Sequence, residues 1–239
     1  MIEILNKYLS DINIIFKELI SHLTIFEIGN DNINSLNDNV NVSPIISAEL
    51  KLEPISVTEL KRSKKKYPDF IMDVYHNKLA IEWQNLLDDV YAYRLNQHFS
   101  KQKTFKELGK SKVKVDFLSE IEIVQQIKGN LKLDFSFLPY KDRIRVINNS
   151  FECIDKNEDV LKKILKNILI RNSLQHKNKK LDNDFLNQMG SNTLTLLNQK
   201  GEEKRYVSGD EIFIYLPEIF EFKKAMIQLI IKWSNDGQI

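Results

Sequence analysis

Apolar residues recur at three- and four-residue steps along several stretches of the chain, the spacing that gathers them on one face of an α-helix. Ile4, Leu5, Tyr8, Leu9, Ile12, Ile15, Phe16, Leu19, Ile20 and Leu23 form the first such face and predict a helix running to about Phe26. Leu79, Trp83, Leu86, Leu87, Val90, Tyr91, Leu95 and Phe99 predict a second over residues 78–108. Leu161, Ile164, Leu165, Ile168 and Leu169 predict a third over residues 155–176, with Asn157 or Asp155 as its cap. In a closing helix Ile219, Phe222, Lys223, Met226, Ile230 and Trp233 lie along one side, and Pro217 suits its first turn.

The stretches between these helices carry other signals. Residues 29–43 are rich in Asn, Asp and Ser, end at Pro44, and read as an irregular loop. Residues 45–60 alternate roughly and read as extended. Residues 112–117 and 131–137 alternate strictly, so either is a short strand, whereas 118–127 between them fits a helix at least as well. Residues 193–198 and 205–216 flank Gln199-Lys200-Gly201-Glu202, a hairpin signal, with Gly209 near a second turn. The expected fold is therefore mainly α: a helical bundle with a small β-hairpin insertion and an N-terminal helical extension. Residues 1–66 form the extension and its basic end, and 67–239 the main domain.

Composition narrows the classes. A chain of 239 residues with 42% hydrophobic and 28% charged residues can bury a core as an ordinary globular protein. A net charge of +2 gives no global attraction to nucleic acid, so such affinity has to come from local patches. The densest is Lys61-Arg62-Ser63-Lys64-Lys65-Lys66, which reads as a solvated loop or as a track for a phosphate backbone. The single cysteine, Cys153, rules out an internal disulfide and a multi-cysteine metal site. Glu3, Lys7 and Asp11 break the apolar run that a signal peptide needs, and no stretch reaches the ~20 apolar residues of a membrane span. A cytoplasmic location and no membrane partner are expected. Seven glycines form no phosphate-binding loop, so no nucleotide cofactor, or any other, is expected.

The chemistry concentrates at Arg171-Asn172-Ser173-Leu174-Gln175-His176. Continued at about 100° per residue, the third helix sets Arg171, Asn172, Gln175 and His176 on an arc of roughly 140° centred on its buried stripe. A face that should be core turns polar there, as happens at functional sites. An arginine that grips a phosphodiester and a histidine that moves a proton suffice, in principle, to cleave RNA without a metal.

This string resembles the Arg-Asn-x-x-x-His motif of the HEPN superfamily, compact helical bundles many of which are metal-independent endoribonucleases. The order of elements after it, a polar stretch over residues 177–191, a two-stranded element and a closing apolar helix, is similar as well. The resemblance implies Arg171, Asn172 and His176 as catalytic residues; beside them Gln175 and the basic run Lys177, Lys179 and Lys180 are the expected substrate-binding residues. It also implies RNA as substrate, a homodimer whose two motifs share one cleft, and a role as toxin or antiviral-defence effector with an antitoxin or defence partner. Asn178 stands where some members carry a tyrosine modified by a partner nucleotidyltransferase, so that mode of control is not implied.

Two other readings stand beside it. Such a motif also persists in domains that bind RNA or nucleotides without cutting. Separately, Pro68-Asp69 and Ile81-Glu82-Trp83-Gln84 resemble the signature of restriction-like nucleases, in which Asp69 and Glu82 on paired strands would hold a divalent metal and Gln84 replaces the usual lysine. The remaining histidines, His22, His76 and His98, lack metal-ligand or triad spacing and are expected to be structural.

Overall fold

A computed structural model describes residues 1–43, 53–108, 112–151, 158–176 and 179–236, the side chains of Glu158, His176 and Asp236 excepted. Among the described residues it holds eight α-helices and two small two-stranded sheets, with helix at 69%. The expected caps Asp155 and Asn157, together with Cys153 and Lys177, fall outside the described residues.

Helix α1 (Ile2–Ser35) buries Leu5, Tyr8, Ile12 and Leu19. It runs past the expected end near Phe26, through a segment whose Gly, Asn and Asp residues are poor helix formers. Contacts from further along the chain offset that weakness: Lys61 Nζ donates to the carbonyl of Leu36, which caps the helix, at 3.0 Å, and bonds Asp38 at 2.6 Å. A short antiparallel pair, β1 (Asn41–Val42) and β2 (Ile55–Ser56), then leads into α2 (Val57–Lys64). The extended reading of 45–60 fails from residue 57 onward, because Ser56 accepts from the Glu59 amide and caps a helix. The basic run is accordingly the end of α2 and the turn after it, not an open loop.

Helix α3 (Tyr67–Phe99) is the axis of the bundle, starting eleven residues earlier than the periodicity suggested because Pro68 sits in its first turn. It buries Ile71, Tyr75, His76, Leu79, Trp83, Leu87, Val90 and Leu95, on several sides at once. Beyond a 3₁₀ turn (Lys106–Leu108), residues 112–117 form no strand. Residues 131–137 are helical as well, at the end of α4 (Ile123–Phe137). There Leu131 and Phe135 face inward four residues apart, while Leu133 and Phe137 remain exposed. Helix α5 (Tyr140–Asn149) follows.

Helix α6 (Glu158–His176) lays Ile164, Ile168, Leu169 and Ile170 into the core. The stretch expected to be simply polar contains α7 (Asn183–Met189), capped by Asp182 and ended by Gly190 at φ 65°. The expected hairpin is present as β3 (Leu194–Leu197) and β4 (Glu203–Tyr206), antiparallel with Leu194 opposite Tyr206. Of the expected strand 205–216 only residues 205 and 206 belong to β4; from 207 onward the pairing among the described residues is a single bridge between Lys180 and Glu211. Helix α8 (Leu216–Asp236) closes the bundle, Trp233 stacking on Trp83 with centroids 5.6 Å apart and on Phe151 at 4.9 Å. Buried residues of α1, α3, α6 and α8 belong to one apolar cluster, so α1 packs as part of the core that the 67–239 segment builds.

Candidate functional site at the α3–α6 seam

The polar residues of α6 form a ridge. Asn167, Arg171 and Gln175 stand four residues apart, so they stack along one side of the helix, and that side meets α3 running antiparallel. Asn167 Oδ1 lies 3.0 Å from His76 Nε2. One turn on, Asn77 Oδ1 accepts from both Arg171 Nε at 3.0 Å and Gln175 Nε2 at 2.8 Å. Arg171 Nη1 also donates to Asn172 Oδ1 at 3.1 Å. Beyond the end of α6, Lys179 Nζ pairs with Asp73 Oδ2 at 2.5 Å.

This seam differs from the expected arc. The buried stripe continues through Ile170 to Ser173, which is 2% exposed, whereas Arg171 and Asn172 are half-buried and Gln175 is exposed. The motif therefore flanks the stripe, because helix α3 and not the centre of the core covers that side. His176 ends α6, and its side chain lies outside the described residues. Lys180 is exposed, its backbone in the bridge to Glu211.

Electrostatics single out Arg171. Partial burial lowers its pKa. No carboxylate pairs with it among the described residues; its hydrogen-bond partners are the amides of Asn77 and Asn172. A guanidinium that is partly desolvated, fixed at Nε and left without a countercharge is arranged to receive an anion. Lys179 is held differently. It adopts φ 64°, its amide reaches the Ser173 carbonyl at 3.3 Å, its carbonyl accepts from Ile212, and its ammonium lies 5.5 Å from the Phe213 ring. Burial raises the Asp73 carboxyl, and the pairing with Lys179 opposes that rise; Asp73 Oδ1 is buried with no hydrogen-bond partner among the described residues.

Asn77 and Asp73 carry no signal of a site in the sequence. They lie about a hundred positions from the residues they touch, and no short motif marks them; the one hint is that 73 and 77 are polar positions on a helix otherwise buried on several sides.

The restriction-like reading loses its geometry. Asp69 and Glu82 both lie on α3, without the expected hairpin, and sit about 20 Å apart along its axis, too far for one metal to bridge. Gln84 is on the same helix, and burial, with Asp11 nearby, raises the Glu82 carboxyl. The other histidines take structural partners: His22 Nδ1 lies 2.6 Å from the Tyr75 hydroxyl, His76 bonds Asn167, and His98 Nδ1 accepts from the Phe105 amide at 3.1 Å. A concavity of about 460 Å³ lies away from the seam, between α5 and α6, and one of about 420 Å³ lies between α6, β3, β4 and α8, with Asn167 in its lining.

No helix among the described residues is long and apolar enough to cross a membrane. Compared with family models, with curated proteins and with solved structures, the chain shows no match.

Proposed function

We propose that the chain is a metal-independent endoribonuclease of the HEPN type, acting on RNA as a toxin or antiviral-defence effector. The observation that carries this reading is the Arg171 guanidinium, without a carboxylate partner among the described residues and oriented by Asn77 and Asn172 five residues before His176. In the proposed reaction a ribose 2′-oxygen attacks the adjacent phosphorus as its proton passes to a base, and the bond to the 5′-oxygen breaks as that oxygen takes up a proton. His176 serves one of these transfers. Arg171 binds the phosphate oxygens and stabilises the charge that builds on them. Asn172 orients the guanidinium, and Gln175, Lys177, Lys179 and Lys180 supply contacts to the flanking strand. One motif histidine per chain leaves the second transfer to the motif of another protomer, which makes a homodimer part of the proposal. A partner protein, antitoxin or defence component, would control it by blocking that assembly or the cleft.

The test is cleavage of total RNA or tRNA in excess EDTA. Products should end in 2′,3′-cyclic phosphate, and His176→Ala should stop both cleavage and any growth arrest on expression. A strict requirement for magnesium would sink the proposal. RNA binding that persists in both wild type and His176→Ala, with no cleavage in either, would identify a non-catalytic binding module instead.

A further inference from the structure

The basic run and the first turns of α3 form a continuous surface with the Arg171 seam. Positions 66, 70, 73 and 77 lie within an arc of about 60° on one helix, at roughly 100° per residue. Asp73 and Asn77 on that arc hold Lys179 and Arg171. Towards the helix start the same face carries Phe70, 62% exposed, and Lys66. A single exposed Phe is ordinary; this one is not single. Its ring lies 6.4 Å from Tyr67, itself 46% exposed and stacked at 4.9 Å on the partly buried Phe26, so two exposed aromatics stand side by side, anchored on a third.

Cations surround this pair. Lys61 is taken by Asp38, and Arg62 lies 3.6 Å from Glu59. Lys64 bonds the neutral Asn34 side chain, and Lys65 and Lys66 are exposed, with no carboxylate partner to these three among the described residues. Against them stand Asp69 at the edge of the face and Asp73, already paired with Lys179. Exposed aromatics among unneutralised cations fit a strand whose bases are unpaired, since a base buried in a duplex offers no face to stack.

We propose that this surface is a track for single-stranded RNA, in which Phe70 stacks a base and Lys65 and Lys66 contact phosphates upstream or downstream of the one held by Arg171. The inference rests on the phosphate-binding reading of Arg171 and adds its substrate class. Phe70 and Asn77 are about 10 Å apart along the axis, the rise of about three stacked nucleotides at 3.4 Å each. The stacked base therefore belongs to the strand being cut, a few nucleotides from the scissile bond.

A fluorescein-labelled, fully 2′-O-methylated single strand of mixed sequence tests this with the wild-type chain, because it cannot undergo 2′-oxygen attack. Phe70→Ala and Phe70→Leu should each weaken its binding about 10-fold, the scale of removing one stack, and Phe70→Trp should restore it. Lys65→Ala with Lys66→Ala should flatten the dependence of log K on log salt by about 0.7 for each phosphate that is no longer neutralised. Binding to a duplex of the same sequence should not respond to Phe70→Ala. If the wild type binds and none of these variants changes affinity or salt slope, or if single strand and duplex are weakened equally, the track is wrong and the Arg171 reading stands. RNA cleavage without measurable binding of the single strand also overturns the track alone. If the wild type neither binds the strand nor cuts RNA, both fall.

Discussion

Arg171 is oriented by neutral groups, and that choice has a testable consequence. An asparagine oxygen at Nε fixes the plane of the guanidinium without cancelling its charge, so the remaining N–H groups stay available to a phosphate. Replacing Asn77 by Asp keeps an acceptor in place but adds a carboxylate that would pair with Arg171 and repel the substrate. Asn77→Asp should therefore reduce kcat/KM for RNA more than Asn77→Ala, which leaves the charge intact and only loosens its aim. Arg171→Ala should cost roughly 10²-fold or more, the scale of removing an oxyanion-type donor, and Arg171→Lys should recover little, since an ammonium cannot reproduce the fork. All four variants should retain the helical circular dichroism of the wild type. Equal activity in Asn77→Asp and Asn77→Ala would mean that the Arg171 charge does not meet the substrate.

Between elements, a buried polar chain ties α3, α6, β3 and α8 together. His76, fully buried, shares a hydrogen bond with Asn167; Asn167 Nδ2 donates to Glu218 Oε1, Lys166 Nζ lies 2.6 Å from the same oxygen, and the Leu197 amide donates to Glu218 Oε2. Because Asn167 spends its Nδ2 on Glu218 and the Lys163 carbonyl, His76 donates from Nε2, and its Nδ1 is buried and unpartnered among the described residues. Burial pushes its pKa down to about 4. The folded value lies below the unfolded one of about 6.5, so this contribution to stability is complete above pH 6.5 and is lost as pH falls towards 4, about 3 kcal/mol in all. Urea midpoints should show that loss, and His76→Gln, less stable at neutral pH, should show a shallower decline over the same window. Parallel curves for the two proteins would mean that His76 does not titrate as its burial implies. The same elements separate what the chain declares locally from what it does not. Helices α1, α3, α6 and α8 follow from apolar spacing, because each buries a stripe that repeats many times, and the β3–β4 hairpin follows from the turn at Gly201 and the alternation of Leu194 and Leu196. Residues 131–137 mislead because Leu131 and Phe135 satisfy both a period of two and a step of four, and α4 settles it only by packing Phe135 against Tyr91, centroids 4.0 Å apart. Helix α2 is announced by Ser56 and Glu59, a capping-box spacing easily passed over beside Pro54. At the site, Arg171, Asn172 and Gln175 are legible as a motif, whereas Asn77 and Asp73 depend on how two distant helices pack, which no local pattern encodes.

At the scale of the whole molecule the open matter is where two copies would meet. A cleft shared by two motifs requires a two-fold axis near the end of α6, which brings symmetry-related residues there closest together. The chain offers a competing face. Phe117, Leu118, Ile121, Val124, Leu133 and Phe137 are exposed on and before α4, which packs against α3 at Tyr91, about 20 Å along the axis from Asn77. Dimerisation through that face would hold the two motifs apart, so the two geometries predict different cross-links. In a Cys153→Ser background, Gln175→Cys should form a disulfide between protomers under mild oxidation, because a bridge needs Cα atoms within about 7 Å, and Leu133→Cys should not. Arg171→Ala mixed with His176→Ala yields a heterodimer with one intact residue of each kind; activity regained there means that one Arg171 and one His176 suffice, whereas two transfers served by two histidines leave it inactive. Cross-linking at 133 alone would assign the dimer to α4 and leave each motif to work by itself. A monomer by sedimentation that still cuts RNA would lead to the same end. The second proton-transfer group would then have to come from the same chain, and Asp73, whose half-buried carboxyl is pushed above its ordinary range by desolvation beside Lys179, would be the first residue to replace.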